Sequence, residues 1–392
     1  MFILEEPYVS DLLAHTVAAS GLPVLDTPMA REVFASAGTP LLDDDAFAAA
    51  FASHADARLY SNSENAIGWI AEHLADTALP GRIDVFKDKV RFRRLVADLY
   101  PAYGFADLRL DELRAFDPTT LKLPFVIKPA VGFFSMGVHV VDSVAAWPET
   151  VALIEREVES FASVYPDQVL GLDRFIVEEV IDGEEFAVDA YFDSAGEVTI
   201  VNIYGHLFAS ADDVSDRVYY TSIELIERFR GPFAEFLAEV GRRAELADFP
   251  MHAEIRVDAT GNIAPIEINP MRFGGWCATD LAHFAYGINP YTTYMDGISP
   301  DWTRIAEECR GKLTALVVAD LPSSVELSAI ESVDYAAFAA NFSRVLELRP
   351  TDFHHYPVFA FTFVEVPADD VSELDAVLGA DLTSYVTMRG NI

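Results

Sequence analysis

Two neighbouring stretches, His252-Ala253-Glu254-Ile255-Arg256-Val257-Asp258 and Ile263-Ala264-Pro265-Ile266-Glu267-Ile268-Asn269, alternate polar and apolar residues. A period of two is the mark of a half-buried strand. Ala259-Thr260-Gly261-Asn262 between them is a turn-forming cluster, so the pair reads as a β-hairpin. Folding it symmetrically about Thr260 and Gly261 places Asp258 opposite Ile263, Arg256 opposite Pro265, Glu254 opposite Glu267 and His252 opposite Asn269. Directly opposed residues have Cβ atoms about 4.5–5.5 Å apart, and two carboxylates that close repel unless a positive group lies between them. Two carboxylates and an amide on one face are oxygen donors suited to magnesium, which takes carboxylates together with substrate phosphates. A solvated strand face with ordinary surface carboxylates is the alternative. Pro270-Met271-Arg272-Phe273-Gly274-Gly275, directly after the second strand, favours the site, because paired glycines let a backbone approach a ligand closely.

A second segment carries complementary charge. Leu123-Pro124-Phe125-Val126-Ile127 is a short apolar strand ending in Lys128-Pro129, and Gly132-Phe133-Phe134-Ser135-Met136-Gly137 precedes another strand at Val138–Val141. Backbone amides of such a turn can cover phosphates while the lysine neutralises them; an ordinary hairpin turn fits the same residues. No G-K-[ST] follows, so it is not a P-loop, and a strand rather than a helix follows the serine, so it is not a nucleophile elbow.

The 392 residues call for two or three domains, and 51% hydrophobic with 23% charged residues is a folded mixture. No apolar run reaches the roughly 20 residues of a membrane-spanning helix. The N-terminus shows no secretory pattern, with Glu5 and Glu6 following the first apolar residues, so a cytoplasmic enzyme is expected. Cys277 and Cys309 are the only cysteines, which excludes a disulfide framework or a cysteine-based zinc cluster. A net charge of −36 argues against nucleic-acid and anionic-membrane partners and requires any nucleotide site to be locally basic. The five lysines, Lys87, Lys89, Lys122, Lys128 and Lys312, are therefore informative.

Along the chain, residues 1–84 alternate short strands and helices: a helix over Asp11–Ser20, strands at Val24–Leu25 and Ala57–Tyr60, and a helix to Leu74 capped by Ser61 or Ser63. The pattern suggests a small parallel sheet. Lys87–Leu99 reads as one helix and Trp147–Tyr165 as another. Phe175–Asp193 and Val198–Tyr204 read as long strands, and Phe233, Phe236, Leu237, Val240 and Ala244 mark an amphipathic helix. Residues 311–392 mix strand-like runs, Leu313–Val318 and Val358–Val366, with short helices.

Three separated segments together resemble the ATP-grasp superfamily, and within it the carboxylate–amine ligases that include D-alanine–D-alanine ligase and L-amino-acid ligases. They are Lys128 with Gly132–Gly137, the run Val177–Asp189, and Glu267-Ile268-Asn269-Pro270-Met271-Arg272. The likeness spans roughly residues 85–300. It implies an α/β fold with a small N-terminal domain (1–84), a two-lobed ATP-grasp domain (85–310, its ATP lobe about 85–170 and its metal lobe about 171–310) and a C-terminal lobe (311–392).

The resemblance also implies roles. Lys89 and Lys128 would meet the ATP phosphates under the loop of Ser135 and Gly137. Glu178, Glu179 and Ile181 would hold adenine, and Glu185 the ribose. Glu254, Glu267 and Asn269 would hold two magnesium ions, with manganese an alternative, and Arg272 would steady the transferring phosphate. Arg256 fits either a substrate carboxylate or an ion pair with Asp258 or Glu254; His252 fits a ligand-orienting role or a satisfied structural histidine. Met271, the bulky Phe133-Phe134 pair and the missing lysine near His206 depart from many relatives and bear on the substrate pocket.

The implied reaction activates a small-molecule carboxylate, by analogy an amino acid, as an acyl phosphate for attack by an amine, releasing ADP and phosphate. A homodimer is compatible with the resemblance. A phosphotransferase on the same scaffold and a nucleotide-binding regulatory protein without turnover are the rival readings.

Overall fold

The computed structural model describes residues 1–35, 38–54, 56–132, 137–161, 171–208 and 217–389. Its first strands, β1 (Phe2–Ile3), β2 (Val24–Leu25), β3 (Leu41–Leu42) and β4 (Tyr60–Ser61), form a parallel sheet in the order β3-β2-β1-β4. Between them run α1 (Asp11–Ser20), α2 (Pro28–Phe34) and α3 (Asp44–Ala52). Each starts where a short polar side chain takes up an amide that the helix leaves unpaired: Ser10 for Leu13, Thr27 for Ala30 and Asp43 for Ala46. The next helix, α4 (Ala66–His73), differs from expectation, because Asn65 precedes it without a side-chain cap and Ser61 Oγ donates to the Ser63 carbonyl at 2.6 Å.

The helix expected over Lys87–Leu99 is two helices, α5 (Leu79–Lys87) and α6 (Lys89–Val96), broken at Asp88. The Asp88 carboxylate accepts from Val90 N and Arg91 N at 2.9 and 3.1 Å, so this residue ends one helix and caps the next. Lys89 thereby lies at the very start of α6.

A second sheet contains β5 (Phe105–Arg109), β6 (Phe125–Val131), β7 (His139–Val141) and β8 (Gly171–Glu179), antiparallel in the order β5-β8-β6-β7. The helix α7 (Trp147–Phe161) packs Trp147, Val151 and Ile154 against Phe125, Ile127, Phe175 and Val177 on one face. On the other face Val90 of α6 meets Ala130 and Ile176.

The largest sheet has eight strands. They are β9 (Glu184–Phe192), β10 (Val198–Leu207), β11 (Val218–Ser222), β12 (Phe249–Val257), β13 (Ile263–Pro270), β14 (Lys312–Asp320), β16 (Val345–Pro350) and β17 (Val358–Pro367), in the order β13-β12-β9-β10-β11-β14-β17-β16. The helix α8 (Ile223–Ala244) covers one face, burying Phe229, Phe233, Leu237 and Val240 against Phe186, Val188, Ala190 and Phe192 of β9. A two-stranded sheet of β15 (Ile330–Val333) and β18 (Val386–Met388) completes the mixed α/β fold expected from the sequence. The run Phe175–Asp193 is not one strand. It divides at residues 180–183 into β8 and β9, which belong to different sheets. Gly183 has φ 127°, and a Cβ there would lie 2.4 Å from the Val257 carbonyl oxygen, so only glycine lets the chain cross β12 at this point. Among the described residues no helix is long and apolar enough to cross a membrane.

Candidate active site

The eight-stranded sheet sorts its residues by the period of two. The face turned away from α8 carries, in direct register across β13, β12, β9 and β10, the row Glu267, Glu254, Ala187, Tyr204. The neighbouring row is Asn269, His252, Asp189, Asn202, and on the other side Arg256 faces Glu185. The expected pairs Glu254–Glu267 and His252–Asn269 are therefore present. The lower half of the hairpin is shifted: Ile255 faces Pro265, Arg256 faces Ala264 and Val257 faces Ile263, with the irregularity falling between Glu254 and Ile255. Pro265 has no amide to give the ladder, and a bulge absorbs the misfit.

Glu254 Oε1 lies 3.3 Å from Asn269 Nδ2, and Lys89 Nζ approaches Glu267 Oε2 at 3.6 Å while donating to the Gly132 carbonyl at 3.2 Å. Burial alone would push the Glu267 carboxyl up; Lys89 and Lys128 outweigh it and hold the group below its ordinary range. Burial also draws the Lys89 ammonium down from its ordinary value. Lys128 on β6 pairs with Glu178 Oε1 at 2.7 Å across the β6–β8 ladder. The other oxygen of Glu178 takes Arg93 Nε at 2.8 Å.

Beyond β13, Met271 has φ 66° and is held on both sides, its amide donating to Pro250 and its carbonyl accepting from Ser61, each at 2.9 Å. The left-handed turn costs about 1–2 kcal/mol for a residue with a side chain, and these two bonds fix it where the chain must deliver Arg272 to the site. Arg272 Nη1 donates to the Phe273 carbonyl at 2.9 Å and Nη2 lies 3.6 Å from Glu64 Oε1. Glu64 also pairs with Lys87. Burial would raise the Glu64 carboxyl, yet Arg272 and Lys87 hold it below its ordinary value. Three of the five lysines, Lys87, Lys89 and Lys128, thus gather with Arg272 about Glu64 and Glu267 in a chain of net charge −36.

The remaining expected residues fall as follows. Gly137 has φ 69° beside Pro129; Ser135 and the Phe133-Phe134 pair lie outside the described residues. Glu179 accepts from Lys122 N through Oε1 at 3.2 Å, and its carbonyl accepts from Tyr103. Arg256 forms an ion pair with Glu185 at 2.9 Å and donates to the Ile181 carbonyl at 2.7 Å, a partner the sequence reading did not name. Asp258 instead accepts from Thr260 and Asn262 in the turn. His252 Nδ1 lies 2.7 Å from Asp189, a fully buried carboxylate that also accepts from Tyr204 and from Gly274 N. Cys277 is buried, and burial pushes its thiol well above the ordinary range, which suits a small core residue rather than a nucleophile.

Sequence reasoning missed Glu64, Lys87, Arg93 and Asp189. Lys87 stands two residues before Lys89 in Phe86-Lys87-Asp88-Lys89, and Arg93 follows Lys89 by four residues on one helix face. Glu64 and Asp189 carry no local signal.

The donor set fits magnesium. Glu254 and Glu267 supply carboxylate oxygens, and Asn269 has its amide nitrogen turned to Glu254 and its carbonyl oxygen as the remaining donor. Among the described residues no group of three or more His, Cys, Asp or Glu side chains is placed to hold a metal by itself. A site of two carboxylates and an amide, finished by substrate phosphates, is the kind magnesium accepts.

Residues 121–280 match the family model of the ATP-grasp domain. No curated protein matches the chain in sequence. Among solved structures, L-amino acid ligase from Bacillus licheniformis superposes with a TM-score of 0.65 at 17% identity, covering 100% of this chain and 98% of that one. N5-carboxyaminoimidazole ribonucleotide synthetase from Thermotoga maritima gives 0.62 at 13% identity, covering 100% and 99%. Biotin carboxylase from Campylobacter jejuni, in a complex named for β-γ-ATP, gives 0.62 at 13%, covering 93% and 87%. At these identities the likeness is one of fold, and it runs the length of the chain beyond the matched segment. Residues 121–280 thus match the ATP-grasp domain, and the chain as a whole shares its fold with these enzymes.

Proposed function

We propose that the chain is an ADP-forming carboxylate–amine ligase, using ATP and magnesium to join a small carboxylic acid, an amino acid by preference, to an amine. The observation that carries this reading is the register of Glu254 against Glu267 with Asn269 two residues on, facing a cleft lined by Lys89, Lys128 and Arg272. The fold shared with an L-amino acid ligase supports it. We read residues 1–84, 85–310 and 311–392 as the N-terminal, ATP-grasp and C-terminal parts.

In this reading Lys89 and Lys128 bind phosphate oxygens, while the segment Glu178–Ile181 and Glu185 line the nucleoside. Gly137 belongs to the turn over the phosphates. Magnesium, when bound by Glu254, Glu267 and Asn269, supplies charge neutralisation for the phosphoryl oxygens. Arg272 adds fixed positive charge at the transferring group, preorganised by its bond to the Phe273 carbonyl. A substrate carboxylate oxygen bonds to the γ-phosphorus as the bond to ADP breaks. The amine nitrogen then bonds to the acyl carbon, inorganic phosphate leaves, and the amine loses its proton. Enclosure of the cleft keeps water from the acyl phosphate.

The test is inorganic phosphate release from ATP and magnesium against pooled amino acids, singly and in pairs, with Glu267→Gln as control. Release that requires a pool and disappears in the variant is expected. Consumption of ATP with a phosphorylated product and no free phosphate would replace the ligase by a phosphotransferase.

A further inference from the structure

We propose that Arg93 is a positioning residue for the nucleotide site: acting through Glu178, it leaves the Lys128 ammonium with positive charge to offer a phosphate. Glu178 is buried, its side chain 5% exposed, and its two oxygens face different cations, Oε1 facing Lys128 Nζ at 2.7 Å and Oε2 facing Arg93 Nε at 2.8 Å. Without Arg93, Lys128 and Glu178 would be a neutral pair, and the carboxylate would cancel much of the field an incoming phosphate meets. With Arg93 the group carries a net positive charge, in a chain whose total of −36 otherwise repels a nucleotide. Burial alone would push the Glu178 carboxyl up; the two cations outweigh it and keep the group ionised.

Geometry sets Arg93 in this place. It follows Lys89 by one helical turn on α6, so both side chains leave the same face. Asp88 caps that helix and its Oδ2 pairs with Arg174 of β8 at 2.8 Å, which ties α6 to the second sheet. Arg93 itself is 3% exposed; it donates through Nη2 to the Pro265 carbonyl of β13 at 3.2 Å and lies 4.7 Å from the Tyr103 ring centre. Tyr103 in turn donates to the Glu179 carbonyl. The guanidinium therefore touches the strand carrying Glu178 and the strand carrying Glu267 together. A planar fork with several donors can do this, and a lysine cannot.

The proposal rests on the reading that ATP phosphates lie against Lys128, and its test is therefore ATP binding rather than turnover. Calorimetric titration with ATP and magnesium would compare the unaltered chain, Arg93→Met, Glu178→Gln and the double variant. Arg93→Met is expected to weaken ATP at least about tenfold, a loss of about 1.4 kcal/mol. In the Glu178→Gln background the same substitution is expected to change affinity less than about threefold, because no carboxylate is left that could turn both oxygens onto Lys128. Arg93→Lys, which keeps the charge, should fall between, and Arg93→Gln replaces Arg93→Met in the cycle if that variant does not fold. Unchanged affinity in Arg93→Met, or an equal loss in both backgrounds, would overturn the proposal; a purely structural arginine would lower the melting temperature without that coupling. Absence of ATP binding by the unaltered chain would instead overturn the underlying reading and this one with it.

Discussion

Glu254 and Glu267 face each other in register across the β12–β13 hairpin, and the register slips by one residue immediately below them. Two carboxylates so placed repel, and Lys89 offsets this at 3.6 Å from Glu267. On the proposed function the arrangement is set for a cation rather than for stability. Glu267→Gln is expected to abolish ATP-dependent phosphate release by at least about 100-fold, while its melting temperature without magnesium stays within a few degrees of the unaltered chain. Magnesium with nucleotide should raise the melting temperature of the unaltered chain and not of the variant. Equal stabilisation of both by magnesium nucleotide would remove Glu267 from the metal site.

Glu178 gives a pH prediction. Its folded-state carboxyl lies below the ordinary value of 4.5 because Lys128 and Arg93 outweigh burial. The unfolded chain therefore binds more protons than the folded one below that value, and stability falls as pH falls through the window. The contribution of Glu178 is fully present above pH 4.5 and lost beneath it. Glu178→Gln leaves two cations without their counter-charge and should cost about 3 kcal/mol at neutral pH. Thermal melts from pH 7 downward should show that deficit shrinking once pH drops below about 4.5. A gap that stays constant over the range would contradict the ion-pair account.

The hairpin was readable because alternation, turn residues and charge all sit within eighteen consecutive positions, and the magnesium-type donor set follows from its upper half. The lower half was not, since the proline-induced bulge shifts Arg256 onto Ala264. Arg256 and His252 find Glu185 and Asp189 as direct cross-strand neighbours, yet β9 and β12 are separated by α8 and two further strands. Alternation tells which face a residue takes and says nothing of which distant strand lies alongside. Glu64 reaches Arg272 only because β4 docks on Met271 through a backbone bond, a contact between segments two hundred residues apart. The break at Asp88 was visible in principle, as an aspartate directly before Lys89 can cap a new helix; apolar periodicity on either side masked it.

Glu64 supplies a prediction with opposite signs in two measurements. Its carboxylate faces Lys87 and Arg272, and Oε1 makes no hydrogen bond although it is buried. Glu64→Gln makes the cleft more positive, so ATP affinity should hold or tighten by up to about threefold. Arg272 loses the charge that orients it, so turnover should fall about tenfold, the pattern of a group that matters at the transition state more than in binding. Parallel losses of affinity and turnover would show instead that Glu64 supports the nucleotide site as a whole.

The hinge between β8 and β9 can be tested against a glycine that has no structural duty. Gly183 has φ 127°, and an added Cβ would lie 2.4 Å from the Val257 carbonyl oxygen and 2.8 Å from Asp258 N. Gly183→Ala should therefore cost about 1–3 kcal/mol in backbone strain alone. The displaced segment leads directly into Glu185, whose carboxylate holds Arg256 at 2.9 Å while Arg256 holds the Ile181 carbonyl. ATP affinity should consequently fall with stability. Gly68, exposed in α4 with nothing within 4 Å of an added Cβ, should behave in the opposite way. There alanine removes unfolded-chain freedom and should stabilise the protein by about 0.5–1 kcal/mol. Paired thermal melts and ATP titrations decide the matter: opposite shifts in melting temperature, with affinity moving only in Gly183→Ala, follow from the close approach of the hinge to β12. If both variants melt alike, the hinge is not packed against that strand in the way the crossing requires.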